Sequence, residues 1–173
     1  MSSKKEPHYV RERKIILQYI KNDSPIILDI GVGQCACMSL LMAQKGYQVI
    51  AIDNEQDALE NAKTRINESG VDGQINLKLE DATSLSFADG SFMNIVAYNS
   101  LHHVQNLDKA VAEIYRVLRP EGRAIISDFD ETAEGYLDDL CDLLKSRFKQ
   151  VRQIKRKYRR IFVCRKTKTK KII

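Results

Sequence analysis

Two short stretches carry most of the chemistry this sequence offers. The first is Asp29-Ile30-Gly31-Val32-Gly33-Gln34, which follows a β-branched run opened by Pro25 and precedes a segment suited to a helix. Glycines in such a turn let the backbone approach a ligand closely and leave amides open where a helix starts. The second is Asp53, 20 residues after Gly33 and at the end of the next β-branched run. A carboxylate in that place can accept both hydroxyls of a ribose. Gly31-x-Gly33-x-x-Ala36 also fits the fingerprint of a dinucleotide site. A glycine pair alone is equally a ligand-free turn, and it is Asp53 at the right distance that favours a nucleoside. Against a dinucleotide stands Asp29, directly before the glycines, because a carboxylate repels a pyrophosphate and attracts a cation.

The elements that must position these residues follow from apolar periodicity. Residues 10–20 read as a short amphipathic helix, 26–30 as a buried first strand and 36–45 as a helix ended by Gly46. A second strand is predicted over 47–52 and a second helix over 56–68, closed by Ser69-Gly70. Strands over 75–79 and 92–98 come next. The helix over 107–118 has a clear apolar stripe stopped by Pro120 and Gly122. A strand over 123–127, a helix over 136–144 and two strands over 148–154 and 158–164 complete the series. Strands alternating with helices imply an α/β fold, a mainly parallel sheet with helices on both faces. The final strand-turn-strand has too short a link for a parallel crossover, so the last strand must run antiparallel. The whole of 1–173 reads as a single domain: a helical cap over 1–24, a core over 25–165 and a basic tail over 166–173.

Composition narrows the class. With 43% hydrophobic and 29% charged residues the chain is ordinary for a globular protein. No apolar run reaches the length of a membrane span and the first residues lack a secretory core, so the expected location is the cytoplasm. Cys35 and Cys37 are two apart, which is the spacing of neither a zinc knuckle nor a redox pair; they are expected to be small buried hydrophobes or bystanders, and no disulfide framework is expected. Charge is divided: residues 1–144 hold 14 Lys and Arg against 23 Asp and Glu, whereas 145–173 hold 14 basic residues and no acid.

The run 27–33 resembles the first motif of class I S-adenosylmethionine (SAM)-dependent methyltransferases. Val49-Ile50-Ala51-Ile52-Asp53 resembles the acidic second-strand motif of that family, and Glu80-Asp81-Ala82 with Asp89-Gly90-Ser91-Phe92 its adenine-side motif. Asn99-Ser100-Leu101-His102-His103-Val104 and the segment from Glu113 to Gly122 resemble the loop and helix of its small-molecule-type subgroup. The resemblance covers about residues 25–127. It implies a Rossmann-like sheet of seven strands with the last antiparallel, SAM as cofactor and methyl transfer as activity. It also assigns roles: Asp29, Gly31 and Gly33 at the methionine end, Asp53 on the ribose, Asn54 beside the adenine, Asp81 and Ala82 on the adenine, and Asn99 at the methionine and transfer site. The sequence departs from the family pattern at Cys35 and Glu121, where glycines are usual, and at Met93.

Methyl transfer needs a general base only if the nucleophile must first lose a proton. Near the expected site His102, His103 and Asp128 could serve, although adjacent histidines also suit packing and helix capping, and none is assigned a catalytic role. No Asn-Pro-Pro-Tyr type loop follows the fourth strand, which argues against an exocyclic nucleobase amine as acceptor. The turn Lys155-Arg156-Lys157-Tyr158-Arg159-Arg160 is expected on the ligand edge of the sheet, where Lys155, Arg156, Lys157, Arg159 and Arg160 would draw in an anionic acceptor or RNA. Two further readings stay open: a SAM-binding, non-catalytic partner subunit, and a thiol-dependent enzyme acting on a metalloid through Cys35 and Cys37.

Overall fold

The computed structural model describes residues 7–129, 135–156 and 159–168. Helix α1 (His8–Leu17) leads into β1 (Ile26–Ile30), α2 (Cys37–Ala43), β2 (Gln48–Asp53), α3 (Gln56–Asn67) and β3 (Ile75–Leu79). After β4 (Phe92–Tyr98) come a 3-10 turn (Leu101–His103), α4 (Leu107–Val117), β5 (Leu118–Phe129), α5 (Tyr136–Arg147), β6 (Gln150–Arg156) and β7 (Arg159–Arg165). The seven strands lie in the order β3-β2-β1-β4-β5-β7-β6. The first five are parallel, and β7 runs antiparallel to both β5 and β6. This is the Rossmann-like sheet expected above. Among the described residues no helix is long and apolar enough to cross a membrane.

Alternation along the strands builds two cores, because successive side chains point to opposite faces. Ile27, Val49, Val96, Ile125 and Ile161 face α1, α2 and α3, where Ile16, Met42 and Ala62 meet them. Leu28, Ile52, Ile95, Ile126 and Phe162 face α4 and α5, against Ile114, Leu140 and Leu144. Strands buried on both faces are largely apolar, and the polar exceptions in β1 and β4 are buried and hydrogen-bonded: Asp29 to the Ser39 hydroxyl and Asn94 to the backbone of Lys21.

Several boundaries move from their expected places. Helix α2 starts at Cys37 because Ala36 takes a left-handed conformation, φ +45°. Strand β5 begins at Leu118 rather than 123. Pro120 and Glu121 lie inside the strand, within a register shift where Phe92 pairs with Leu118 and Asn94 with Arg123, and Glu121 has φ +67°. In the tail, Lys166 is tied down: its Nζ donates to the carbonyls of Tyr115 (2.7 Å) and Leu118 (2.8 Å) and lies 4.5 Å from the Tyr115 ring centroid. A cation on the last carbonyls of α4 satisfies groups the helix cannot pair itself.

Candidate cofactor and methyl-transfer site

Between β1 and β4 the strand order reverses, and ligands in open α/β sheets bind at the carboxyl ends of strands at such a point. A cavity of about 770 Å³ opens there. Its walls include Gly31, Gly33, Asp53, Asn54, Asp81, Ala82 and Asn99. Seven of the eight residues expected to hold the cofactor therefore share one cavity, and the eighth, Asp29, does not line it.

The floor of the cavity is shaped by close backbone approach. Gly31 has φ +74°, and a Cβ built on it would lie 2.2 Å from the Cβ of Ser100. Only glycine lets the β1 and β4 loops meet so closely. The Ser100 hydroxyl donates to the Ile30 carbonyl at 2.7 Å, which locks the two loops together. Asp53 is held by two amides, Gly33 to Oδ2 at 2.9 Å and Glu55 to Oδ1 at 3.2 Å. The Gly33 amide thus orients the carboxylate while Gly33 and Asp53 both face the cavity. A carboxylate gripped by backbone keeps lone pairs for a diol and loses little freedom on binding one.

The adenine-side loop follows β3. Asp81 Oδ1 accepts from the Thr83 amide (2.7 Å) and hydroxyl (2.8 Å), an Asx turn, while the residue stays exposed to the cavity. Arg116 pins this loop to α4. Its guanidinium donates to the carbonyls of Leu85 (2.9 Å) and Phe87 (2.8 Å) and to Asp89 and Glu113. The Arg116 guanidinium in turn holds the Glu113 carboxyl below the usual range.

Asp29 is 1% exposed and accepts a hydrogen bond from the Ser39 hydroxyl on α2. Burial pushes its pKa up to about 7; the Asp53 charge adds to the rise and Ser39 opposes it. Ser39 was invisible as a site residue, since a small hydroxyl on a buried helix face reads as packing.

On the other side of the cavity the ends of β4 and β5 carry a second cluster. His102 Nδ1 lies 2.7 Å from Asp128 Oδ1, with the His102 side chain 22% exposed and Asp128 at 1%. The Phe129 amide (3.1 Å) and the Tyr136 hydroxyl (3.2 Å) also donate to Asp128. Burial and the Asp128 charge raise the Tyr136 phenol well above its ordinary range. His103, not His102, lines the cavity, and the two rings are 3.9 Å apart.

The basic hairpin needs correction at Arg159. It is 1% exposed, forms a 2.8 Å ion pair with Glu12 of α1 and donates to Asn99 and Ser127. Its guanidinium sits over Tyr98 and Phe129, 4.6 and 4.1 Å from their centroids. Arg159 is a core residue because the first position of β7 turns inward and α1 covers it. Arg160 pairs with Asp138. Lys155 and Arg156 are exposed, and Lys157 lies outside the described residues. A second correction concerns Cys35 and Cys37. Cys35 is exposed and Cys37 half-buried, and they are joined as a disulfide rather than packed as separate hydrophobes.

The fold and the cavity match those expected of a class I SAM-dependent methyltransferase. A family model described as a methyltransferase domain matches residues 28–126, and the chain belongs to that family. SAM is its cofactor, and the held Asp53 carboxylate beside the glycine loop fits a nucleoside ribose. The chain is 32% identical over 127 residues to methyltransferase GfsG of Streptomyces halstedii, covering 70% of this chain and 46% of that protein. It is 33% identical over 108 residues to the ubiquinone/menaquinone biosynthesis C-methyltransferase UbiE of Haemophilus ducreyi, covering 61% and 41%. The chain thus spans just under half the length of these relatives. A putative SAM-dependent methyltransferase from Methanococcus maripaludis shares the fold at a TM-score of 0.76 and 16% identity, covering 99% of this chain and 100% of that one. The [4+2]-cyclase SpnF does so at 0.79 and 17%, covering 92% and 82%. At such identities the likeness concerns the fold alone.

Proposed function

We propose that the protein transfers a methyl group from SAM to a hydroxyl of a small organic molecule, with His102 as general base. The observation that carries this reading is the His102–Asp128 pair at the ends of β4 and β5, beside the cofactor cavity. When bound, SAM supplies a methyl activated by its sulfonium. A hydroxyl is a weak nucleophile until its proton leaves. Asp128 can only accept, so the proton of neutral His102 resides on Nδ1 and the Nε2 lone pair is left for the acceptor. Tyr136 of α5 and the Phe129 amide of β5 keep the carboxylate oriented, so two elements outside its own turn hold the base in place.

A small organic acceptor is supported by the relatives, since UbiE is named for quinone biosynthesis. Exposed Lys155 and Arg156 at the same sheet edge support an acidic group on that acceptor. With Arg159 buried and Arg160 paired to Asp138, Lys155 and Arg156 are the exposed cations among the described residues of the turn.

The test is a screen of phenols and alcohols with methyl-labelled SAM, followed by His102→Ala and Asp128→Asn on the best acceptor. Loss of the base is expected to lower kcat by about 10²–10⁴. Full activity in both variants would sink the base assignment. Labelling of RNA alone would replace the acceptor class, and tight SAM binding with no transfer would favour the non-catalytic subunit.

A further inference from the structure

We infer that Cys35 and Cys37 form a redox modification site that sets how well the cofactor loop is organised for SAM. The two residues bracket Ala36 between the glycine turn and α2, with Cα atoms 5.1 Å apart, within the span a disulfide requires. Cys35 is exposed and Cys37 half-buried, so a dissolved oxidant reaches the pair. Cys141 and Cys164 are buried and unlinked, and burial pushes the Cys164 thiol well up. Reactivity follows thiolate character and access, so oxidation falls on the loop pair.

The link closes over a segment connected on both sides to the site. Ala36 inside it holds φ +45°, an unfavourable conformation for an L-residue, and α2 starts from it with no side-chain cap. Before the link, Gly33 and Gln34 line the cavity and the Gly33 amide holds Asp53. Beyond it, Ser39 holds Asp29. Cys35 itself does not line the cavity, and its sulfur is joined to Cys37. Opening the link frees Ala36 to return to the right-handed region and frees the side chain at 35 to turn towards the cavity. The oxidised loop is therefore the preorganised one, and preorganisation raises affinity by removing an ordering cost from binding.

Closure is a thiol–disulfide exchange with a small disulfide such as oxidised glutathione. One cysteine thiolate attacks the small disulfide and releases one thiol, and the second resolves the mixed disulfide and releases the other. The protein loses two electrons and two protons, and the two released thiols carry them.

The experiment is calorimetric titration of SAM into the whole chain after reduction with a phosphine and after oxidation with oxidised glutathione. Alkylation and mass spectrometry read the redox state without recourse to activity. The expected result is loss of two hydrogens confined to the peptide holding Cys35 and Cys37, with SAM binding about tenfold weaker in the reduced protein. Cys35→Gly cannot form the link, and its SAM affinity is expected to be the same in both buffers. Wild-type affinities equal within about twofold would overturn the inference. So would tighter binding on reduction, failure of the pair to close in excess oxidised glutathione, or a redox response in Cys35→Gly. Absence of SAM binding in both states would overturn it together with the cofactor site.

Discussion

The cofactor side and the acceptor side of this molecule are built by different means. On the cofactor side backbone groups are partners in the main contacts: the Gly33 amide on Asp53 20 residues away, the Glu55 and Thr83 amides close by, and the Ile30 carbonyl under the Ser100 hydroxyl. Adjacent parallel strands and their loops suffice to form it. On the acceptor side, side chain meets side chain across the chain: His102 and Asp128 are 26 residues apart, and Glu12 and Arg159 are 147 apart. That side exists only once β5, β7 and α1 have closed on one another. Local backbone contacts make the first side tolerant of distant change, whereas buried polar pairs make the second dependent on every partner being present.

The sharpest way to break this comparison is Glu12→Ala. It strands the buried Arg159 cation and should cost about 3 kcal/mol in urea unfolding, while SAM affinity should move far less, because Glu12 reaches the cavity only through Arg159 and Asn99. A parallel fall in affinity would mean that the two sides are not separable. Gly31→Ala probes the seam, where the new Cβ meets Ser100 at positive φ. A loss of about 3 kcal/mol is expected together with loss of SAM binding.

Asp29 sharpens the cofactor side through pH. Its folded pKa of about 7 lies above the ordinary 3.8, so the native state holds the proton more tightly than the unfolded chain. Its contribution to stability is complete below pH 3.8 and is lost as pH rises through about 7. Asp29→Asn should remove this decline, worth about 4 kcal/mol between acid and pH 8 in denaturant titrations at each pH. An unchanged pH profile would place the decline elsewhere. The smallest effect is expected from Glu121→Gly, which relieves a left-handed residue at φ +67° and loses only exposed ion pairs to Arg165 and Lys168. A rise of about 1 kcal/mol would show as a higher Tm.

What the sequence made legible divides along the same line. The central strands were readable because double burial keeps them largely apolar, and Asp53 because strand length fixes its distance from the glycines. Asp128 and His102 were both candidates, but their pairing depends on the β4–β5 register, which no local pattern encodes. Arg159 was misread because a basic run looks solvated, and only the Glu12 carboxylate on α1 reveals that one member is buried. Ala36 and Glu121 moved element ends because left-handed residues without glycine give no compositional signal. The Cys35–Cys37 spacing pointed away from a redox pair, yet the left-handed Ala36 between them brings the two together.

The most direct test of the account is titration of SAM into the wild-type chain and into Asp53→Ala, with folding of the variant checked by circular dichroism. Binding in about the micromolar range, weakened at least about a hundredfold in the folded variant, is the result the account requires. Equal affinity in the two proteins would contradict it, because the carboxylate held by the Gly33 amide would then not be the group that receives the cofactor.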